Sequence, residues 1–498
     1  MLGLSAVRVS LKTNNDFKVY WSGVQIADWV FTTAIPLFTN VNEEQMAHLK
    51  DIGNKFETCE CLKKFNISII AQEFNNNSSK LKKYTIKGKI KNIWKIYDVE
   101  EALKGLLKDP SISLSSANNE ACHVSLLDGC YFLIIKLGTL NLLTLDDAVL
   151  LLYGASVPTD LIEQGLPITI VSTPFGIKNL FNSWSSGIIS NVLDEKNKKV
   201  LLTDIRLAPS CEGSPICRVQ MSQVKDIVGL VLTPLIIDNN EYSGYSLGVP
   251  TVELVNSLCK TIFPYMSFLW LDKELDRLSG KQIEWQTVLT NTGFVESVVV
   301  VSDQTSWATG VIVDQGLIIT SAHIVNYGNL SNSIVVTTHD SKNFIGDVVF
   351  STSSDNEIDF AVLSFNPTKN SYKKIELAST PPKLGENVLA IGFSILLSPK
   401  PNISVGIISN VGKLLTSSCT VQSGMSGGAL IRSDGSLLGI IQCNLKADNL
   451  YPNINFSVPV TFFGPSLVSY LESRDASCFY KGIEERGKSL PKILGSKL

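Results

Sequence analysis

The sequence predicts a chain dominated by antiparallel β-structure in which one fold occurs twice. Short runs of β-branched and apolar residues fill the C-terminal half, and glycine, asparagine, aspartate or proline separates them. Many short strands at this spacing are typical of antiparallel barrels or sandwiches. The hexapeptide Gly-Ile-Ile-Ser-Asn-Val occurs at 187–192 and again at 406–411, which indicates an internal duplication.

Further features recur in the same order around this hexapeptide. Four pairs of segments agree: 146–150 with 359–363, 165–168 with 385–388, 226–231 with 436–441, and 246–250 with 455–459. We therefore predict a first domain over 1–255, a linker over 256–289, a second domain over 290–480 and an exposed tail over 481–498. The segment near 40–120 is rich in Asn and Lys and is predicted to be an insertion in the first copy.

Composition narrows the classes of protein. The 498 residues suffice for two or three domains, and 44% hydrophobic with 18% charged residues is ordinary for a globular protein. The net charge of -3 gives no reason to expect nucleic-acid binding. The basic run 80–91 is interpreted as a solvated loop or strand face, with a binding patch as the alternative. No apolar stretch approaches the roughly 18 residues of a membrane span, and the N-terminus is a poor secretory signal.

The ten cysteines point to free thiols rather than to a metal site. No C-x-x-C pair occurs, and Cys59 and Cys61 form a lone C-x-C pair with no histidine beside it in the sequence. The sequence therefore predicts no metal and no cofactor.

The last three residues, Ser496-Lys497-Leu498, match the address that the peroxisomal import receptor reads. The run 487–492 before them is predicted to be exposed, which would leave the address accessible. The expected location is the peroxisomal matrix, and a coincidental tail is the alternative.

Three short motifs in the second half carry residues suited to nucleophilic chemistry. His323 follows the apolar run 317–320, Asp359 opens the apolar run 360–363, and Ser426 stands in the glycine-rich segment 423–430. Each motif alone is weak, but the ordered triple in a β-rich domain predicts a catalytic triad. Asp355 is a nearby alternative for the acid.

The chemistry of acyl transfer explains these residue types. A serine hydroxyl is a weak nucleophile and needs a base that works near neutral pH, which imidazole supplies. The base needs a buried acid that fixes its tautomer. The backbone N–H groups of Gly424 and Ser426 are predicted to form the oxyanion hole.

The three motifs resemble those of the trypsin-like serine protease family, most closely its HtrA/Deg branch, from Trp307 to Leu471. The resemblance implies two chymotrypsin/trypsin-like double β-barrel domains, the first degenerate. Met425 stands where trypsins usually have Asp, a position that contributes its backbone, so activity is expected to survive. No recognisable PDZ domain follows Leu471.

The first copy is expected to be inactive. The parallel segments put Ile35 at the position of the base and Gly213 at the position of the nucleophile, and Asp146 remains as a relic of the acid. Ile35 cannot accept a proton and Gly213 has no hydroxyl. This copy would pack against the active one, or hold substrate proteins.

The whole chain, with its terminal tripeptide, looks like a member of the peroxisomal leader peptide-processing proteases. The resemblance implies a serine endopeptidase that acts on imported matrix precursors and cleaves itself, with Cys122 and Cys130 as candidate sites. An HtrA-like quality-control protease and a non-enzymatic chaperone or scaffold remain alternatives. A homo-oligomer is left open.

The substrate pocket is predicted from the positions around Ser426. Thr420 would form its base, Gln442, Cys443 and Asn444 its wall, with Asn455 opposite. Because no acid lies at the base, cleavage after Arg or Lys is not expected. The two asparagines should make the pocket shallow and favour a small or moderately polar P1 residue, which the resemblance would make cysteine.

Overall fold

A computed structural model describes most of the chain. The described residues are 4–12, 18–57, 59–75, 80–106, 125–138, 143–195, 198–220, 223–237, 241–262, 293–303, 306–326, 334–367, 372–394, 400–444, 454–488 and 496–497. The chain divides into two compact units, Met1–Thr287 and Val288–Leu498.

The first unit contains two closed antiparallel barrels. The first barrel has the strand order β1-β2-β3-β6-β5-β4 and the second has β10-β11-β12-β9-β8-β7. Their strands are β1 (Leu4–Lys12), β2 (Lys18–Ile26), β3 (Trp29–Thr33), β4 (Asn66–Asn75), β5 (Lys80–Lys95), β6 (Tyr131–Leu137), β7 (Pro167–Ser172), β8 (Ser183–Glu195), β9 (Lys198–Thr203), β10 (Pro215–Gln220), β11 (Gln223–Ile237) and β12 (Glu241–Pro250).

The second unit repeats this plan. One closed barrel has the order β13-β14-β15-β18-β17-β16, and a seven-stranded sheet has the order β22-β19-β20-β21-β24-β23-β25, closed by pairing of β22 with β23. The strands are β13 (Val298–Ser302), β14 (Trp307–Asp314), β15 (Leu317–Thr320), β16 (Ile334–Thr337), β17 (Asn343–Ser351), β18 (Ala361–Phe365), β19 (Asn387–Gly392), β20 (Asn402–Val411), β21 (Leu415–Ser417), β22 (Ala429–Arg432), β23 (Leu437–Asn444), β24 (Asn455–Pro459) and β25 (Ser496–Lys497).

The helices are short, and each either connects two strands or follows the last strand of a barrel. They are α1 (Ile35–Phe38), α2 (Glu43–Lys55), α3 (Tyr97–Leu106), α4 (Leu145–Gly154), α5 (Thr251–Ile262), α6 (His323–Asn326), α7 (Val460–Ser473), α8 (Ser477–Phe479) and α9 (Glu485–Lys488). Single 3-10 turns lie at Glu60–Lys64, Leu126–Cys130, Thr159–Leu161, Pro174–Gly176, Lys178–Leu180 and Gly293–Ser297, and a π-helical turn lies at Tyr480–Glu484. No helix among the described residues is long and apolar enough to cross a bilayer.

The predicted duplication and the β-barrel fold are confirmed. Both hexapeptides lie on corresponding strands, because Gly187 on β8 faces Ile168 of β7 and Gly406 on β20 faces Val388 of β19. Each barrel interior is filled by aliphatic side chains, such as Ile216 in the second barrel. Burial of such side chains stabilises a barrel by about 1.5–3 kcal/mol each.

The segment near 40–120 differs from the predicted insertion. Residues 66–95 form β4 and β5, two strands of the first barrel, so only the flanking α2, α3 and connecting segments are additions. The Asn- and Lys-rich composition misled because β5 has one exposed face. Lys83, Lys87, Lys89 and Lys91 are exposed and alternate with more buried residues, as in a half-solvated strand.

The predicted linker and tail also begin later than expected. Residues 256–262 continue α5, which packs on α4 of the first unit. Residues 481–488 form helical turns that pack on the third barrel rather than an exposed tail. Phe479 stacks on Phe350 with ring centroids 5.2 Å apart, and Asn356 Nδ2 donates to Glu484 Oε2 at 2.8 Å.

Candidate active site

His323 and Asp359 meet because the strands before and after them are paired. β15 and β18 run antiparallel with Thr320 opposite Ala361, so the segment after β15 lies beside the segment before β18. His323 Nδ1 lies 2.6 Å from Asp359 Oδ2, and the His323 backbone N–H donates to Asp359 Oδ1 at 2.9 Å. Asp359 is only 1% exposed. One buried carboxylate therefore fixes both the backbone and the ring of this histidine.

A glutamine side chain holds the Asp359 segment in place. The Asp359 backbone N–H donates to Gln442 Oε1 at 3.3 Å, and Gln442 Nε2 donates to the Glu357 carbonyl at 2.9 Å. Gln442 lies on β23, so it connects the segment around Asp359 to the seven-stranded sheet. Sequence reasoning placed Gln442 in the pocket wall and missed this contact.

Asp355, the alternative acid, has a different environment. Its side chain is 70% exposed and lies 3.7 Å from Lys488 Nζ. A hydrogen bond from the Ser353 side chain lowers its pKa. Of the two acids, Asp359 is the one that is buried and contacts the histidine.

Ser426 lies in the turn between β21 and β22, and this turn is fixed to β14. The Thr309 N–H donates to the Ser426 carbonyl at 2.9 Å, and Thr309 Oγ1 donates to the Gly424 carbonyl at 2.7 Å. Gly424 has a φ of +88°, and a Cβ there would lie 2.6 Å from Trp307 Nε1, so only glycine fits without strain. The Ser426 hydroxyl donates to the Gln442 carbonyl at 3.2 Å.

The described residues show no hydrogen bond between the Ser426 hydroxyl and the His323 ring. Catalytic contacts of this kind are often long or misaligned without substrate and tighten when substrate binds. Rotation about one side-chain torsion of Ser426 would redirect the hydroxyl from the Gln442 carbonyl. His323 and Asp359 are therefore in contact, and the Ser426 hydroxyl is directed to the Gln442 backbone carbonyl instead of to His323.

Two backbone donors beside Ser426 are free. The N–H groups of Met425, Gly427 and Gly428 each donate to a backbone carbonyl at 2.8–3.0 Å. Within the described part of the chain, the N–H groups of Gly424 and Ser426 have no such acceptor. Unpaired N–H groups beside a serine hydroxyl suit an oxyanion, which would accept from both.

The predicted pocket residues Thr420, Asn444 and Asn455 lie together. Asn444 on β23 faces Asn455 on β24. Asn444 Nδ2 donates to the Val421 carbonyl at 3.0 Å, and Asn455 Nδ2 donates to the Ser417 carbonyl at 3.3 Å. Thr420 is 2% exposed. Both amide side chains therefore span the space between β23, β24 and the segment that leads to Ser426.

The edge of β23 beside this pocket is paired with the end of the chain. Lys497 lies opposite Cys443 and Ser496 opposite Asn444, so β25 adds antiparallel to β23. Gln442, which precedes Cys443 on β23, supplies the backbone carbonyl that accepts from the Ser426 hydroxyl. The tripeptide was predicted to be exposed, but two of its residues are paired in the sheet. Leu498 lies outside the described residues.

In the first unit a short helix follows the third strand, as in the second unit, but it does not begin with a histidine. α1 begins at Ile35 after β3, as α6 begins at His323 after β15. Ile35 therefore stands where the second unit has its histidine, as the sequence predicts.

The predicted position of the lost nucleophile is one residue off. The Ser22 N–H donates to the Glu212 carbonyl at 2.9 Å, as the Thr309 N–H donates to the Ser426 carbonyl. The Gly213 N–H donates to the Val231 carbonyl of β11 at 2.8 Å, and in the same way the Gly427 N–H donates to the Ile441 carbonyl of β23 at 2.8 Å. Glu212, rather than Gly213, therefore corresponds to Ser426.

The Glu212 carboxyl lies at the backbone amides that correspond to those of Ser426 and Gly424. Burial raises the pKa of the Glu212 carboxyl to about 7, against a smaller opposing effect of the backbone amides of Glu212 and Ser210. Ser210 corresponds to Gly424 and keeps its positive φ, at +72°. Sequence reasoning missed this carboxyl, although an acid inside a Ser-Cys-Glu-Gly-Ser turn was visible.

Asp146 does not correspond to Asp359. It is an exposed residue of α4, whereas the strand that matches β18 is β6. Thr32 faces Leu133 as Thr320 faces Ala361, which places Tyr131 at the position of the acid. In the described part of the first unit, Ile35, Tyr131 and Glu212 therefore occupy the positions of His323, Asp359 and Ser426.

Of the two candidate self-cleavage sites, Cys122 and Cys130, only Cys130 lies among the described residues. Cys130 is fully buried, and its carbonyl accepts from the Ile96 N–H at 2.9 Å. Burial raises the pKa of its thiol to about 12. Cys122 lies outside the described residues. A protease cannot reach the peptide bond of Cys130 while the first barrel is folded.

The comparisons agree with this architecture. Residues 308–440 match the model of the trypsin-like peptidase domain, and this range contains His323, Asp359 and Ser426. Fold, site geometry and match together define this part of the chain as a trypsin-like serine peptidase domain.

More extended likeness is to two curated mammalian proteins. The chain is 30% identical over 336 residues to the peroxisomal leader peptide-processing protease of Homo sapiens, and 28% identical over 342 residues to that of Mus musculus. Each match covers 64% of this chain and 58% of the relative. The serine endoprotease DegS of Escherichia coli K12 is 34% identical over 164 residues, 30% of this chain and 44% of that protein.

Proposed function

We propose that this chain is a serine endopeptidase of the peroxisomal matrix that removes leader peptides from imported proteins. The observation that carries the proposal is the contact of His323 with the buried Asp359 carboxylate, beside a serine whose turn presents two backbone N–H groups without an acceptor among the described residues. The name of the human and mouse relatives supports the compartment and the processing role. The terminal Ser496-Lys497-Leu498 supports the same compartment.

The geometry supports a two-step acyl transfer. His323 Nε2 takes the proton of Ser426 Oγ, which attacks the scissile carbonyl, while Asp359 stabilises the imidazolium through Nδ1–H. The N–H groups of Gly424 and Ser426 stabilise the tetrahedral oxyanion. The imidazolium then protonates the leaving amine, and water hydrolyses the acyl-enzyme by the reverse roles. No metal or cofactor takes part in this scheme.

The pocket supports a small or moderately polar P1 residue. The Asn444 and Asn455 side chains occupy the space beside Thr420 and offer amide groups rather than a carboxylate. Cysteine fits both the size and the polarity of such a pocket. Preference for P1 Arg or Lys in a peptide panel would contradict this specificity.

Self-processing in the first unit is part of the proposal. We place the cut at Cys122 rather than Cys130, because Cys130 is buried in the first barrel. Mass spectrometry of purified active enzyme should show fragments that end near residue 122. If mass spectrometry detects uncut chain and no fragments, both in cells and in vitro, that result would contradict self-processing.

The decisive experiment compares wild type with Ser426→Ala on a leader-bearing peroxisomal precursor. Ser423→Ala is a matched control, since Ser423 is an exposed serine of the same turn. We expect processing by wild type and the control, and none by Ser426→Ala. Equal processing by all three would contradict the assignment. Broad degradation of unfolded casein, with no defined cut in the precursor, would favour a quality-control protease instead.

A further inference from the structure

The first unit brings one histidine and two cysteines together outside the barrels. The ligand atoms of His48, Cys59 and Cys61 all lie within 4.8 Å of one another. The sequence shows the C-x-C pair but places the histidine eleven positions before Cys59, so the cluster is visible only in the fold. We propose that these three side chains bind a thiophilic divalent cation, zinc, at a site separate from the triad.

The backbone around the cluster is well anchored. α2 carries His48 and begins with a capping box between Asn42 and Gln45, then ends where Phe56 turns left-handed. On α2, Leu49 and Ile52 are 2% and 4% exposed, so the helix is fixed against the first barrel. The histidine itself is exposed, so its ring is free to reorient toward an ion.

The 3-10 turn that follows supplies the two thiols. Cys59 caps this turn, and the Cys61 N–H donates to Cys59 Sγ at 3.3 Å, a contact that stabilises a thiolate. Leu62, the next residue, is 1% exposed and anchors the turn. The ion would therefore join α2 to the turn that leads into β4.

The two thiolates and one imidazole of this cluster favour zinc over other divalent cations. Two thiolates and an imidazole suit Zn²⁺, whose bonds to S and N are about 2.3 and 2.0–2.1 Å, and they suit Mg²⁺ or Ca²⁺ poorly. A tetrahedral ion with these bonds holds two sulfur atoms and one nitrogen atom about 3.5–3.8 Å apart. The cluster needs to contract by about 1.3 Å at most, which the exposed His48 ring permits. A water molecule would complete the tetrahedron.

The test uses the full chain carrying Ser426→Ala, so that self-processing cannot remove the site. The protein is stripped with a chelator and titrated with Co²⁺, whose thiolate charge-transfer absorption reports the bound sulfur ligands. We expect saturation at about one ion per chain and displacement of Co²⁺ by Zn²⁺. Cys59→Ser and Cys61→Ser should each remove much of the charge-transfer absorption and weaken Zn²⁺ binding about tenfold or more.

Matched controls separate this site from other thiols and histidines. Cys478→Ser, which alters a half-buried thiol of the second unit, should leave the titration unchanged. His48→Asn should weaken binding while both sulfurs remain. Zn²⁺ should raise the thermal midpoint of the parent chain but not of Cys61→Ser. Equal Co²⁺ spectra for the parent and both cysteine variants would overturn the proposal, as would a Cys59–Cys61 disulfide in the unreduced protein.

Discussion

The backbone N–H of Asp359 donates to the side-chain oxygen of Gln442 at 3.3 Å. The backbone carbonyl of the same glutamine accepts a hydrogen bond from the Ser426 hydroxyl at 3.2 Å. One residue of β23 therefore touches both the acid segment and the nucleophile. We regard Gln442 as a positioning residue, which acts on the reaction through Asp359.

Gln442→Met should lower kcat/KM about tenfold, because both side-chain hydrogen bonds to the acid segment are lost while side-chain length is kept. The loss should fall on kcat, with KM little changed, and the pH–rate profile should shift because His323 loses orientation. Steady-state kinetics across pH on a peptide substrate provides the measurement. Gln315→Met is the control, since Gln315 also donates to a backbone carbonyl but lies outside the site. Equal losses in both variants would indicate a general effect on stability.

Removal of residues 496–498 should increase the activity of the purified enzyme on a short peptide. β25 occupies the edge of β23 to which an extended substrate would add, so the tail competes with substrate. Loss of the few hydrogen bonds of this pairing should lower KM about three- to tenfold with kcat unchanged. Ser496→Pro, which removes a backbone donor, should act like the deletion.

Lys497→Ala keeps the backbone pairing and provides the matched control for the tail. Its KM should equal that of the parent. An unchanged KM after deletion would show that β25 does not compete with substrate. On the proposed import into peroxisomes, the tail would have to leave β23 before a receptor could bind the tripeptide.

Asn444→Gly should widen the substrate pocket. The Asn444 side chain bridges β23 and the Val421 carbonyl at 3.0 Å, and its removal frees the volume that it fills. We expect kcat/KM for peptides with Leu or Phe at P1 to rise about tenfold relative to Cys or Ala. Asn343→Gly, at the start of β17, is a control for glycine in a strand. An unchanged ranking of P1 residues would show that Asn444 does not limit the pocket.

Much of the fold could be predicted because it depends on local pattern. Alternating apolar strands and a repeated hexapeptide do not need three-dimensional information. The three candidate catalytic residues could be named from the sequence, since His323, Asp359 and Ser426 each stand in a short, recognisable motif, and the structure brings His323 and Asp359 into contact. The role of Gln442 was not, because it depends on a contact between residues 83 positions apart.

The errors in the first unit have physical causes. Asp146 opens a segment like that of Asp359, but Thr144 and Asp147 form a capping box, and this signature of a helix start outweighs the apolar run. The Ser-Cys-Glu-Gly-Ser turn can be aligned in two registers by its small residues alone. Backbone contacts in the fold distinguish them, first among these the donation of the Ser22 N–H to the Glu212 carbonyl. His48 could not be paired with the cysteines because the connection passes through a left-handed turn at Phe56.

Glu212 should make the stability of the first unit depend on pH. Burial raises the pKa of its carboxyl from 4.5 to about 7 in the folded chain. A raised pKa means that the protonated form is favoured by folding, so its contribution is full below about pH 4.5 and is lost as pH rises through 7. The shift corresponds to about 3 kcal/mol between these limits.

Glu212→Gln should abolish that loss, because glutamine stays neutral in the same space. Urea unfolding of the full chain at several pH values between 4.5 and 8 measures the effect. The free energy of unfolding of the variant should exceed that of the parent increasingly as pH rises. Glu386→Gln is the matched control: its hydrogen bond from Arg432 lowers the pKa of Glu386, so that contribution is lost as pH falls. Parallel pH curves for the parent and Glu212→Gln would show that the Glu212 carboxyl titrates as it does in water.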